Sequence, residues 1–200
     1  MAEGVNMKIL LDPGHGGEQP GAVYGGIEEE DLNLDMAFAA RDMLMTLTHD
    51  VLMTRDRDIT LTRLDRVKMI DEYKAELFVS IHCNASENPQ INGIETYYRD
   101  DMDYPLANCV HKCITTYSGR NVIGLFQDEA RLKKRLAVLS DGKIPSVLIE
   151  VGYLSNPAER EYMMKNIRFI GELIAHGADW YAHLKAGKMK VLWPEGAYPN

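Results

Sequence analysis

The sequence predicts an α/β fold: a single domain with a largely parallel, mixed and twisted sheet that carries helices on both faces. Two patterns predict it. Short apolar runs of strand length alternate with longer stretches whose apolar residues recur at helical spacing, giving βαβαβ from Lys8 to Ile81. A chain of 200 residues, 46% hydrophobic and 26% charged, is also the right size for one full core.

The first element is the run Lys8 to Leu11, which enters Asp12-Pro13-Gly14-His15-Gly16-Gly17, the pattern of a buried strand ending in a glycine-rich loop that continues to about Ile27. Leu32, Met36, Ala39, Ala40, Met43 and Leu47 then mark a helix. Glu28, Glu29, Glu30 and Asp31 stand at its start, where carboxylates oppose the helix dipole favourably. Val51 to Thr54 reads as a strand, Thr62 to Lys74 as a helix that turns Leu64, Val67 and Ile70 inward, and Leu77 to Ile81 as a fully apolar strand. After a loop, Cys83 to Asn92, come a strand at Gly93 to Tyr98 and a helix at Pro105 to Tyr117, with proline in its first turn. Ser118 to Lys134 is polar and lacks a clear period. Leu136 to Leu139 and Ser146 to Val151 read as strands around the turn Asp141-Gly142-Lys143-Ile144-Pro145, and Ile167 to Leu184 as a last amphipathic helix. Residues 1–186 are expected to form the catalytic domain and 187–200 an irregular tail.

Composition narrows the function. A net charge of −8 opposes attraction to phosphate backbones, so nucleic acid is not an expected partner. No apolar run approaches the roughly 20 residues of a bilayer span, so no membrane is expected either. The N-terminus offers neither a basic lead-in nor an apolar segment of secretory length, and three cysteines, an odd count, fit a reducing compartment. The expectation is synthesis in the cytoplasm without a signal peptide.

Three polar residues follow predicted strands: His15, His82 and Glu150. The carboxyl edge of an open α/β sheet is where ligands bind, so positions far apart in sequence can converge there, and Glu29, opening the first helix, can face the same crevice. Two imidazoles and one carboxylate suit zinc, which takes three protein ligands in hydrolytic sites. Glu29 fits as a ligand because a helix N-terminus favours its ionised form. Glu150 is then left to move protons. The loop around His15 lacks both nucleotide-binding glycine patterns.

Six segments together resemble a known family: residues 12–17, Gly-Ile-Glu-Glu-Glu-Asp-Leu-Asn-Leu at 26–34, Thr-Arg-Asp at 54–56, Ser-Ile-His-Cys-Asn-Ala at 80–85, Gly-Ile-Glu-Thr-Tyr-Tyr at 93–98 and Ile-Glu-Val-Gly-Tyr-Leu-Ser-Asn at 149–156. Over about residues 7 to 185 they look like the zinc-dependent N-acetylmuramoyl-L-alanine amidases of the amidase-3 type. The resemblance implies that His15, Glu29 and His82 hold Zn2+, that Glu150 is the catalytic carboxylate, and that Asn84 neighbours the substrate. Glu28 and Glu30 are the competing assignments for Glu29. Cys83 replaces the family's usual alanine and would bring a thiol near the metal. The implied reaction cuts the amide between N-acetylmuramic acid and the first L-alanine of the peptidoglycan stem. A protein made without a signal peptide would reach the wall after release, as a phage endolysin does.

Plainer readings compete. A single histidine after a strand is usually structural, and only the joint pattern reverses that. Cys109 and Cys113 share the apolar side of a helix and read as core thiols, with His111 solvated. His49, His176 and His183 read as surface residues. Another zinc peptidase would use the same ligand set, and a non-catalytic wall-binding domain would have no need for Glu150.

Overall fold

The computed structural model describes residues 5–139 and 143–188. Its elements are β1 (Lys8–Pro13), β2 (Val23–Tyr24), β3 (Ile27–Glu28), α1 (Glu29–Thr46), β4 (Asp50–Met53), α2 (Arg63–Tyr73), β5 (Leu77–Asn84), β6 (Ile94–Tyr98), α3 (Tyr104–Ser118), β7 (Val122–Gln127), α4 (Asp128–Leu132), β8 (Ser146–Tyr153), α5 (Pro157–Lys165) and α6 (Ile167–Lys185). Six strands form one sheet in the order β4-β1-β5-β8-β6-β7, and β2 pairs with β3 as a small hairpin. Strands β4, β1, β5 and β8 run parallel, while β6 is antiparallel to β8 and parallel to β7. This is the α/β, mostly parallel mixed sheet that the sequence predicts.

Alternation along the central strands sorts side chains to two faces. Ile9, Leu11, Val79, Ile81, Val147, Ile149 and Val151 point into the main core with residues of α1, α3 and α6. Leu10 and Phe78 point the other way, against Ile70 of α2, and Leu148 lies on that second face with Tyr97 and Leu139. Being apolar on both faces is why these strands read as unbroken hydrophobic runs. Helix α6 comes close enough to α1 that a Cβ on Gly171 would lie 2.5 Å from the Met36 carbonyl oxygen, so only glycine fits.

Several boundaries and one strand differ from expectation. Leu136 to Leu139 is not a strand but a turn, and Leu139 is buried through packing on Tyr97 and Leu148 rather than through a ladder. Inside the stretch that lacks a period lie β7 and α4. Strand β7 is an edge strand with no alternation of burial, so its sequence carries no period-2 signal. Thr62 and Lys74 flank α2 instead of belonging to it: Thr62 caps it reciprocally with Asp65, and Lys74 ends it in the left-handed conformation. Helix α5 has a readable start, since Asn156 accepts hydrogen bonds from the Ala158 and Glu159 amides and proline follows at the first helical position. Residues 141 and 142 of the expected turn, and 189–200 of the expected tail, lie outside the described residues.

The histidines divide as well. His49 is not on the surface: it is buried, accepts from the Met7 amide at 3.2 Å and donates to Asp179 at 3.0 Å. His111 is partly buried rather than solvated, hydrogen-bonded to Thr96 at 2.9 Å, and burial pushes its pKa down to about 4. His183 and His176 are partly buried, the former 3.5 Å from Asp179. Cys109 and Cys113 are core thiols, as expected.

At the carboxyl end of β1, Asp12 is fully buried and accepts from Thr54 Oγ1 and Ser80 Oγ, each at 2.7 Å, while pairing with Arg66. Burial alone would raise its pKa, but the Arg66 charge and the hydrogen bonds from Thr54, Arg66 and Ser80 outweigh it and leave the carboxyl lowered. Removing one member of such a pair strands the other. Asp12→Ala is expected to cost about 3–5 kcal/mol in urea unfolding of the metal-free protein, and Asp12→Ala combined with Arg66→Met clearly less than the sum of the two single costs. A double cost equal to that sum would show that the pairing carries no coupling.

Candidate active site

Four chain segments meet at the carboxyl edge of the sheet. His15 follows β1 in a turn where its own φ is +61°, a left-handed conformation that non-glycine residues seldom adopt. Two buried arginines hold that turn. Arg55 donates to the carbonyls of Pro13, Gly14 and Glu30, and Arg66 to those of Pro13 and His15. Helix α1 opens with Glu29, which is 4% exposed. Strand β5 supplies His82 and β8 supplies Glu150. Both lie inside their strands, which run on to Asn84 and Tyr153, and not beyond the strand ends as expected from sequence.

Glu29 Oε2 lies 3.2 Å from His15 Nε2, and Glu29 Oε1 lies 3.0 Å from His82 Nδ1. The ligand atoms of the three residues all fall within 4.8 Å of one another, the one such grouping among the described residues, and the two imidazole rings meet edge-on at 80°. Three further donors fix the carboxylate: the amides of Ala22 and Cys83, each at 3.0 Å, and Asn33 Nδ2 at 3.2 Å. Burial would raise the Glu29 pKa, yet the hydrogen bonds and charges of His15 and His82 drive it well below the usual carboxylate range. Burial would likewise lower His82, and the Glu29 hydrogen bond, with the charges of Glu150 and Glu29, raises it instead. Glu28 and Glu30 are not part of the cluster; Glu28 precedes α1, and the backbone carbonyl of Glu30 is held by Arg55.

His82 and Glu150 are register partners in the β5–β8 pair, and Glu150 and Glu95 in the β6–β8 pair, so all three project from the same face on adjacent strands. Glu150 Oε2 is buried without a hydrogen-bond partner among the described residues. Burial pushes its pKa up to about 7; His82 opposes the rise, while the charges of Glu29 and Glu95 add to it. Two carboxylates in one site are thus held in different protonation regimes, the arrangement that acid–base chemistry at neutral pH requires.

Sequence reasoning brought together His15, Glu29, His82 and Glu150, and it missed Glu95. This carboxylate accepts from Asn84 Nδ2 at 2.7 Å, Tyr97 OH at 3.1 Å and Tyr153 OH at 3.2 Å, and pairs with Arg131. The signal was an acid inside an apolar strand, the same signal that marked Glu150. Asn84 therefore reaches the site through Glu95. Cys83 differs from expectation: its thiol faces the main core, 3.8 Å from Met163 Sδ, where burial holds its pKa well above the ordinary value. Only its backbone amide serves the cluster.

A glutamate with a folded-state pKa near 7 against 4.5 unfolded opposes folding when it ionises. The penalty is absent below pH 4.5, grows as pH rises through 7 and then levels off. In the metal-free protein Glu150→Gln is expected to add up to about 3 kcal/mol of stability at pH 8.5 and close to nothing at pH 4.5, measured by denaturant unfolding across pH. A pH-independent difference would contradict the buried, unpaired carboxyl.

Residues 9–179 match the family model described as N-acetylmuramoyl-L-alanine amidase. The chain is 35% identical over 174 residues to the germination-specific N-acetylmuramoyl-L-alanine amidase of Bacillus subtilis (strain 168), covering 78% of this chain and 71% of that protein. Its fold superimposes on the catalytic domain of CwlV, the N-acetylmuramoyl-L-alanine amidase from Bacillus (Paenibacillus) polymyxa var. colistinus, with a TM-score of 0.80 and 30% identity, over 92% of this chain and 99% of that one. N-acetylmuramoyl-L-alanine amidase AmiC2 of Nostoc punctiforme gives a TM-score of 0.81 at 30% identity, over 88% and 96%. With its matched span, its fold and its partly buried His–Glu–His cluster all in agreement, this chain belongs to the N-acetylmuramoyl-L-alanine amidase family.

Proposed function

We propose that the chain is a zinc-dependent N-acetylmuramoyl-L-alanine amidase in which His15, Glu29 and His82 hold the metal and Glu150 moves the protons. The observation that carries this is the convergence of the three donor groups, with Glu150 beside His82 across one strand pair. Two imidazoles and an ionised carboxylate suit Zn2+, and a buried carboxylate oxygen with no protein partner suits a group that must meet a reacting water. When bound, zinc supplies a Lewis acid that polarises the scissile carbonyl and lowers the pKa of water.

The protein's own part follows from the geometry. The Arg55 and Arg66 contacts hold the His15 backbone, and the Ala22 and Cys83 amides with Asn33 Nδ2 fix the Glu29 carboxylate, so these groups are oriented before a substrate arrives. Glu150, with a pKa raised to about 7, accepts a proton from the attacking water and later delivers it to the nitrogen of L-alanine as the amide opens. Burial of the site keeps that exchange local.

Residues 1–186 form the catalytic unit in this reading, with 187–200 a tail. Its substrate is peptidoglycan. Buried free thiols at Cys83, Cys109 and Cys113 suit folding in a reducing compartment, so synthesis in the cytoplasm with later, endolysin-like access to the wall belongs to the same proposal, and fractionation of cells before and after lysis tests it.

Metal analysis paired with product analysis tests the centre. Wild type should carry about one zinc per chain, and His15→Ala, Glu29→Ala and His82→Ala should lose it. Glu150→Ala should keep the metal and lose activity at least about 100-fold. Digested peptidoglycan should yield free L-alanine amines and peptide-free glycan by mass spectrometry. Cuts within the stem would make the protein a peptidase, and binding without turnover a wall-binding domain. A second test leaves every ligand in place. A Cβ on Gly14 would sit 2.2 Å from His82 Cε1, so Gly14→Ala should displace the ring and weaken zinc affinity by roughly 10- to 100-fold while the fold remains. Unchanged affinity would mean that His82 is not a ligand.

A further inference from the structure

Glu95 and Arg131 form a buried-to-exposed pair at the edge of the site. Glu95 is 2% exposed, and its Oε2 is fully engaged by Asn84, Tyr97 and Tyr153. Its Oε1 accepts from Arg131 Nη2 at 3.2 Å. The Arg131 guanidinium also rests on the Phe126 ring, 4.9 Å from its centroid. These two contacts fix the plane of a guanidinium whose side chain is still 47% exposed. A guanidinium offers five N–H donors in a rigid fork, and the Glu95 contact occupies one edge of it.

The position matters because of what surrounds it. Glu29, Glu95 and Glu150 line this end of the sheet, and Arg131 sets an oriented cation at its rim. Arg131 is held there by the register neighbour of Glu150, whose Cα lies about 5 Å away across an antiparallel pair. Two residues of extended peptide span about 7 Å, so a carboxylate on the second stem residue lies about that far from the scissile amide. A second-position glutamate joined through its side-chain carboxyl leaves its α-carboxylate free, and amidation of that group removes the charge.

We propose that Arg131 is a specificity-determining residue that receives this second-residue α-carboxylate of the stem peptide as a forked ion pair, selecting free-acid over amidated stems. The inference rests on the amidase reading above. Arginine suits the task better than lysine, because its fork matches the two carboxylate oxygens.

The test compares two synthetic muramoyl peptides that differ only in a carboxylate or a carboxamide at that position, turned over by the zinc-loaded full chain. Wild type should favour the acid by roughly 10- to 100-fold in kcat/KM, mostly through KM. Arg131→Gln should bring the ratio close to one, and Arg131→Lys should restore part of it. Arg135→Gln, which removes an equal charge from the same segment, should keep the wild-type ratio. No preference in wild type, or an equal loss on both substrates in Arg131→Gln, overturns the proposal and leaves Arg131 as a structural partner of Glu95. The two free stem peptides, titrated by NMR against wild type and Arg131→Gln, give the same comparison without turnover. If neither muramoyl peptide is cleaved, the amidase reading fails, while the titration still decides the role of Arg131.

Discussion

The site depends on two guanidiniums buried behind it. Arg55 and Arg66 together bind the carbonyl oxygens of Pro13, Gly14, His15 and Glu30, tying the end of β1 and the turn after it to the first turn of α1. A buried guanidinium requires acceptors as firmly as a buried carbonyl requires donors, so each need removes the other's cost. Asp12 adds the counter-charge, and Thr54 and Ser80 hold Asp12 in place from the strands on either side. The left-handed backbone of His15 persists because its surroundings leave no alternative. Arg66, bonded directly to the His15 carbonyl, and Arg55, bonded to those of Pro13 and Gly14, hold that conformation.

From that frame the two glutamates acquire opposite characters. Glu29 receives hydrogen bonds from two imidazoles, two amides and an asparagine, and its charge is stabilised despite deep burial. Glu150 has an oxygen with no such partner and sits between the charges of Glu29 and Glu95, so its proton is held up to neutral pH. Residue type does not separate them; the number of donors does. One carboxylate is fit to remain bound to a cation and the other to exchange a proton.

Much of this was legible in the sequence, for identifiable reasons. Leu77 to Ile81 and Ser146 to Ile149 are apolar because both faces of a central strand are covered, so their positions, and those of His82 and Glu150 just after, could be read directly. A helix start favours a charged carboxylate, which pointed to the run Glu28 to Asp31, and the family resemblance singled out Glu29 within it. What escaped detection were residues whose role lies in partners distant in sequence. Arg55 stands in the Thr-Arg-Asp segment, but nothing local shows that it or Arg66 is buried, and His49 bonds to Asp179, 130 positions away. Leu136 to Leu139 carries the composition of a strand, yet Leu139 satisfies it by packing on Tyr97 and Leu148 without pairing. Edge position, in turn, erased the period of β7.

The reversed strand brings to the carboxyl edge side chains that a parallel strand would not. In a wholly parallel sheet, the carboxyl edge receives only the last side chains of each strand and the loops that follow. Because β6 runs antiparallel to β8, its first residues arrive at that edge, and Glu95 stands beside Glu150 instead of at the far end of the sheet. The chain then continues through β7 and turns back across Phe126, which brings Arg131 to Glu95. A change of strand direction thus adds a buried anion and an oriented cation to a centre otherwise made of strand ends. The parallel half of the sheet brings His15, His82 and Glu150 together with Glu29, and the reversed half adds Glu95 and Arg131 beside them.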